Sequence, residues 1–496
     1  MADSKEKTSY NHIFKTTFVF GFVQVFKAVL SIIRNKLVAI LIGTEGMGLM
    51  GIFISTITMI KTGAGLGLDQ SAVRDVSEAY GSKNKERYSR IIKVTTRMVL
   101  LTGLLGMLIT LIMSHWLSVW TLGGNEYTIS YCFLGIGVFL DILNDGLQAL
   151  LKGTRQLKSL AYASMFGSVV GLLTTVPLFY WLGMDGIVPA LLIASALGLL
   201  VSEYFLRKID VEKVNMSLKE LLVNSKPMLM MGSAMMLMTF LNTIVSLIIQ
   251  SFIRYRGGLN DVGLFSAGSA ILQSYFGIVI TALMTDYYPR IAAVNKDNRI
   301  IQDELNKQSL VSLLMCCPLF VVFISFLPIF INILYTPAFL PAIDYVNFAI
   351  YYTIITVCSN QVDLILVAKY KISTFTLISL FMRFFQLILY ILLYSFLGLK
   401  GLGIATLCFG VVHYLVMTTV VNRLYRIHFN VMFYKVAVIV MMLCITSSTI
   451  SCINSLVTRY ILGALLSVVS VFFSLRISKN YIGLDLVKIV MSKFIK

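Results

Sequence analysis

Gln24, Lys27, Ser31 and Arg34 recur at spacings of three and four residues within the apolar stretch FVQVFKAVLSIIRNK, residues 22–36. On an α-helix they fall within an arc of about 80° and form one polar stripe carrying two cations. A charge at bilayer depth costs at least about 2.5–3.5 kcal/mol, so such a stripe is expected to face a wet chamber or a ligand rather than hydrocarbon. A low-dielectric cleft lined by cations concentrates anions, and the planar guanidinium fork suits phosphate oxygens. The chemistry these residues point to is recognition of a phosphorylated or carboxylated amphiphile.

Four further stripes share this character. Thr239, Asn242, Thr243, Ser246 and Gln250 form one, and Asp141, Asn144, Asp145, Gln148 and Lys152 form another. Thr356, Ser359, Asn360 and Asp363 make a third, followed by Ser379, Arg383, Gln386, Tyr390 and Tyr394. Lys27, Arg34 and Arg383 are the expected cavity cations. Asp141, Asp145 and Asp363 either serve the cavity or neutralise those cations. His115 and His413 stand alone and read as interfacial or core histidines. A single Asn or Thr in such a helix reads most simply as a helix–helix hydrogen bond.

The elements that must carry these stripes follow from composition. Hydrophobic residues make up 58% of the 496 and charged residues only 13%, against about 25% charged in soluble domains. Mean hydropathy is +0.86. The chain therefore reads as an all-α polytopic membrane protein. About 20 apolar residues span ~30 Å of hydrocarbon, and on that measure there are about 14 transmembrane helices. The expected organisation is a cytoplasmic N-terminus at 1–13, an N-lobe of six helices at 14–207 and a cytoplasmic linker at 208–226. A C-lobe of six helices follows at 227–425, then two additional helices at 426–476 and a cytoplasmic amphipathic tail at 477–496. The first apolar segment reads as a retained helix, because no small-residue cleavage site follows it.

The net charge of +18 follows from where the 41 Lys and Arg residues sit. Five lie inside spans (Lys27, Arg34, Lys36, Lys61 and Arg383), and four lie on one side (Arg254, Arg256, Lys400 and Arg459). All the others fall on the opposite side, which fixes both termini as cytoplasmic by the positive-inside rule. The excess is thus a topology signal and an attraction to anionic membrane lipids, not a nucleic-acid footprint. The seven cysteines have no CxxC spacing and read as inert core thiols, with no metal site.

The chain also repeats itself. LGMDGI at 182–187 returns as LGLKGL at 397–402, and GLM at 48–50 returns as GLF at 263–265, both at an offset of 215. Two six-helix lobes in pseudo-twofold parallel repeat, with a site between them, are the expected design. Neither GxxxxGK[ST], HExxH nor GxSxG occurs, so no ATP hydrolysis of the Walker type and no enzyme chemistry are expected.

The segment KLVAILIGTEGMGLMGIF at 36–53, with Gly43, Gly46, Gly48 and Gly51, followed by GAGLGLDQSAVRDVSEAY at 63–80, resembles bacterial oligosaccharide-lipid flippases of the Wzx type. These belong to the MOP exporter superfamily. The resemblance implies translocation of an undecaprenyl-diphosphate-linked oligosaccharide, such as an O-antigen repeat, between leaflets of the bacterial inner membrane by alternating access. Lys27, Arg34 and Arg383 would contact diphosphate or acidic sugar. Gln24, Asn242, Gln250, Asn360 and Gln386 would bond sugar hydroxyls. No cofactor is implied; a proton or sodium gradient would act through Asp141, Asp145 or Asp363. Glycan polymerase and chain-length regulator proteins are the implied partners. The alternatives are a lipid II flippase of the MurJ type and a cation-coupled multidrug exporter. An exporter of cationic drugs is expected to have an acidic cavity.

Overall fold

The passage through the bilayer is organised by glycines that interrupt long helices. A computed structural model describes residues 2–81, 84–208 and 216–482. The side chains at 2–22, 24, 25, 157, 218, 278, 282, 285, 286, 481 and 482 lie outside the described residues. So do Gln24, most of the 1–13 and 477–496 segments and the middle of the 208–226 linker.

Among the described residues ten helical stretches are long and apolar enough to cross a membrane. Four of them are double length and broken. Helix α1 (Ala2–Ala64) breaks at Gly43, and α5 (Leu157–Leu182) passes through a short 3-10 turn at Gly183–Gly186 into α6 (Ile187–Leu206). Helix α7 (Leu218–Ile271) breaks at Gly258 and α12 (Ile372–Tyr425) at Gly398. Six unbroken and four broken stretches give fourteen crossings. The unbroken ones are α3 (Lys85–Leu122), α4 (Thr128–Gly153), α9 (Asn298–Ser325), α11 (Ile343–Ala368), α13 (Val431–Ser451) and α14 (Leu456–Ile477).

The duplication expected from sequence is written into the backbone. Gly43 (φ 64°, ψ −163°) and Gly258 (φ 78°, ψ −177°) are 215 residues apart, in a region of φ/ψ space open to glycine almost alone. Gly183 (φ 57°, ψ −130°) and Gly398 (φ 57°, ψ −140°) repeat the pattern at the same offset. Helices α4 and α11 start and stop at corresponding residues. Each ends on a non-glycine residue with positive φ two positions further on, Arg155 (56°) and Tyr370 (58°).

Residues 1–263 and 264–496 form two compact units. In the first, the amphipathic helix α2 (Leu68–Gly81) lies against α3 and α4. Val76 and Ala79 pack with Tyr88, Ile92, Leu147 and Leu150 in a buried cluster that removes α2's apolar face from water. In the second, α13 and α14 pack along α9. The hydroxyls of Ser325 and Ser447 meet at 2.7 Å, and the small residue Gly463 sits against Ser325. Small residues and shared hydroxyls are how apolar helices associate where no hydrophobic force drives them together.

Candidate functional site

Two charged clusters stand out among the described residues, one in each unit. In the first unit, Lys61 lies in the last turn of α1, just before the chain turns through Leu66 (φ 50°) and Gly67 (φ 65°) into α2. The turn fits only because Gly67 meets Gly232 of α7 backbone to backbone; a Cβ on either glycine would collide with a carbonyl oxygen of the other strand of chain. A cavity of about 240 Å³ opens above this turn, lined by Lys61, Asp69, Asp145, Thr58, Thr62 and Thr239, among others. Lys61 Nζ stands 2.9 Å from Asp145 Oδ2, with side chains 28% and 38% exposed. Asp141, one turn earlier on α4, accepts the Ser195 hydroxyl, and together with Asp69 it adds to the negative field at Lys61. Asp69 lies outside the spans. Partial desolvation and the like charge of Asp145 hold its carboxyl above the ordinary carboxylate range. The cavity wall thus carries one ammonium and two carboxylates. Thr58 and Thr62 spend their hydroxyls on carbonyls of their own helix.

In the second unit, Arg383 sits half-buried on the first half of α12 and donates to Gln386 Oε1 at 2.8 Å. No carboxylate of the described residues lies within ion-pair distance of it. Its guanidinium carbon lies 5.9 Å from the centre of the Phe409 ring. The imidazole of His413 also neighbours that ring, 5.9 Å centre to centre and near-parallel at 25°. His413 Nδ1 pairs with Ser359 Oγ at 2.9 Å, and His413 Nε2 faces Asp363 Oδ2 at 3.8 Å. Ser359 and Asp363 are one turn apart on α11, so both reach the same ring. The second carboxylate oxygen, Asp363 Oδ1, is buried without a hydrogen-bond partner among the described residues.

The remaining sequence-derived residues are more dispersed. Lys27 is half-buried and Arg34 exposed on the first half of α1, and neither lines the cavity around Lys61. Gln250 accepts from Ser55 at 3.0 Å, tying α7 to α1. Asn242 is exposed and Asn360 half-buried. Two residues carry more than their sequence context indicates. Lys61 stood only as one of five cations within spans, because no helical periodicity links it to a carboxylate 84 residues away. His413 read as an isolated core residue, yet it is the centre of the cluster in the second unit. Its signal was Ser359 and Asp363 at i, i+4 spacing, facing an unidentified partner.

This architecture has solved counterparts. The fold matches the lipid II flippase MurJ in an inward closed conformation with a TM-score of 0.74 at 14% identity, covering 93% of this chain and 99% of that one. It also matches an inward-facing multidrug resistance MATE family transporter of the MOP superfamily, with a TM-score of 0.61 at 16% identity over 80% of this chain and 96% of the other. Among the described residues, the apolar spans and the internal duplication define a multi-pass membrane protein with the fold shared by these two structures. In sequence, residues 13–295 match the model of the polysaccharide biosynthesis protein family. A curated relative, the "Putative O-antigen transporter" of Shigella flexneri, is 23% identical over 288 residues, 56% of this chain and 67% of that protein. The chain belongs to the polysaccharide biosynthesis protein family.

Proposed function

We propose that this protein carries an undecaprenyl-diphosphate-linked oligosaccharide, of the O-antigen or other surface-polysaccharide type, from the cytoplasmic to the periplasmic leaflet of a bacterial inner membrane by alternating access. The family match and the O-antigen transporter relative support the cargo class. The observation that carries the reading is Arg383, a permanent cation in an apolar span with no carboxylate of the described residues in ion-pair reach. A fold does not keep such a charge at bilayer depth without a use for it, and a diphosphate is the partner its fork fits best. Lys27 and Arg34 provide further cation contacts, and Gln24, Asn242, Gln250, Asn360 and Gln386 provide hydrogen bonds for sugar hydroxyls. Both termini lie in the cytoplasm. A proton or sodium gradient drives the cycle through Asp141, Asp145 or Asp363, and a glycan polymerase and chain-length regulator take over the product.

The test is transfer of a labelled polyprenyl-diphosphate oligosaccharide across vesicles reconstituted with the full chain. Wild-type protein is expected to deliver the label to the far leaflet, and Arg383→Ala to slow delivery by about 100-fold, the loss of roughly one charge-assisted contact to a desolvated anion. Equal rates with and without protein, or an unimpaired Arg383→Ala, would overturn the reading. Acidic excess on the wall around Lys61 favours a cation there. Export of cationic dyes by the same vesicles is the outcome that would support the drug-exporter alternative.

A further inference from the structure

We infer that the second unit holds a proton-linked anion site: an anion settling on Arg383 favours a proton on the pair His413 and Asp363, and its departure favours release of that proton. The inference rests on the reading of Arg383 as an anion contact and adds the proton, its seat and the sign of the linkage.

The seat follows from what the pair lacks. Asp363 Oδ1 is buried with no hydrogen-bond partner among the described residues, and Oδ2 stands 3.8 Å from His413 Nε2, beyond a hydrogen bond but within one side-chain adjustment of it. An ionised carboxylate with an unmet oxygen away from water is costly. One added proton removes the cost, whether it rests on the carboxyl oxygen or on the imidazole as an ion pair. In either form the pair passes from a net charge of minus one to zero. Ser359 fixes the ring from its other nitrogen, as a positioned partner must.

The linkage follows from Arg383. Phe409 neighbours both groups: the guanidinium carbon and the imidazole centre each lie 5.9 Å from the centre of its ring. The two groups are therefore within about 12 Å of one another, and both are half-buried, where screening by water is weaker than at an open surface. The cation attracts the negatively charged pair and so opposes its protonation. An anion on Arg383 cancels that attraction, and the pair then takes a proton more readily by about tenfold at an effective dielectric of about 20. Linkage is reciprocal: the proton raises anion affinity by the same factor.

The other groups around the pair leave this balance intact. The Arg290–Glu304 ion pair at the α9 end of the bundle neutralises itself. Tyr352 lies against Phe409, and Tyr414 next to His413 neighbours Tyr434 of α13. Ordinary phenols ionise near pH 10, far from neutrality. The thiols of Cys358 on α11 and Cys316 on α9 are buried.

The test uses the full chain in lipid nanodiscs with farnesyl diphosphate as the anion. Wild-type protein is expected to take up about half a proton per bound anion at a pH between the anion-free and anion-bound midpoints of the pair, read with a pH indicator. His413→Gln and Asp363→Asn are expected to bind the anion and take up none; their binding also shows that they are folded. Wild-type binding without proton uptake overturns this inference and leaves the flippase reading standing. A second arm needs no anion. With four histidines in the chain, the His413 imidazole resonance is assigned by its loss in His413→Gln. In Arg383→Gln its titration midpoint is expected to lie about one pH unit above that of wild type. An unmoved midpoint overturns the linkage whatever the lipid does. Failure of wild type to bind farnesyl diphosphate counts against the anion role of Arg383, while the second arm still decides the electrostatic link.

Discussion

Helices α4 and α11 are the same element used twice, residue for residue at an offset of 215, and the chemistry on them differs. On α4, Asp145 closes onto Lys61 at 2.9 Å; the corresponding positions in the second half are Asn360 and Phe276. On α11, Asp363 faces His413, while the corresponding first-half positions are Gln148 and Gly198, and Arg383 corresponds to Ser168. The first unit therefore neutralises its half-buried Lys61 with its own carboxylate. The second leaves its cation open and places a loosely met acid–imidazole pair beside a shared aromatic ring. The duplicated backbone fixes where a side chain can reach, and each copy has filled those places independently. A closed ion pair of the first kind satisfies its own charges, whereas the open arrangement of the second kind can respond to a ligand.

This contrast can be broken from either side. The largest effect belongs to Arg383. Replacing it by Lys keeps the charge but loses the fork, and transport in vesicles is expected to fall about tenfold, between wild type and the roughly 100-fold loss of Arg383→Ala. Next comes the closed pair. Lys61→Met leaves Asp145 unpaired and is expected to cost about 1–2 kcal/mol, less than the 3–5 kcal/mol of a fully buried pair because both side chains keep some exposure. Adding Asp145→Leu should recover much of that loss. A double-mutant cycle on thermal unfolding in detergent measures the coupling, and additive effects would show the pair to be inert.

A smaller change probes the first-half counterpart of His413. A Cβ on Gly198 would meet only Asn144 Nδ2, at an ordinary 3.7 Å, so Gly198→Ala is expected to stabilise by about 0.5 kcal/mol through helix propensity. A drop in melting temperature would mean that the first half needs that space. The smallest effect is a pH dependence at Asp69. Its carboxyl is held above the reference value of 3.8, so the folded chain binds this proton more tightly than the unfolded chain does. The stabilisation is complete below about 3.8 and lost as pH rises through the higher folded midpoint. Asp69→Asn should therefore match or slightly exceed wild type at neutral pH, by no more than about 0.5 kcal/mol given the exposure of the side chain. It should lose that advantage in acid; melting curves across pH 3–7 check the sign.

Much of this was legible in the sequence, and for identifiable reasons. Hydropathy reveals membrane crossings because hydrocarbon tolerates little else. The repeat was legible at LGMDGI and LGLKGL because their first glycines occupy backbone angles that other residues avoid, so the motif survives where its surroundings drift. Arg383 stood out by its charge alone. What periodicity could not supply was pairing between helices. Lys61 and Asp145 belong to different helices, and so do His413 and Asp363. A stripe on one helix shows which way a side chain points, not what it meets.

The single-residue breaks carry a practical consequence. At Gly43, Gly258 and Gly398 one helix gives way to the next with no connecting segment at all. Such corners offer nothing for a protease to thread or an epitope tag to replace, since any insertion must push two long helices apart. The short link between α3 and α4, residues 123–127, is a true loop. Labels placed there should report on the working carrier, whereas labels at the glycine corners should report on its collapse.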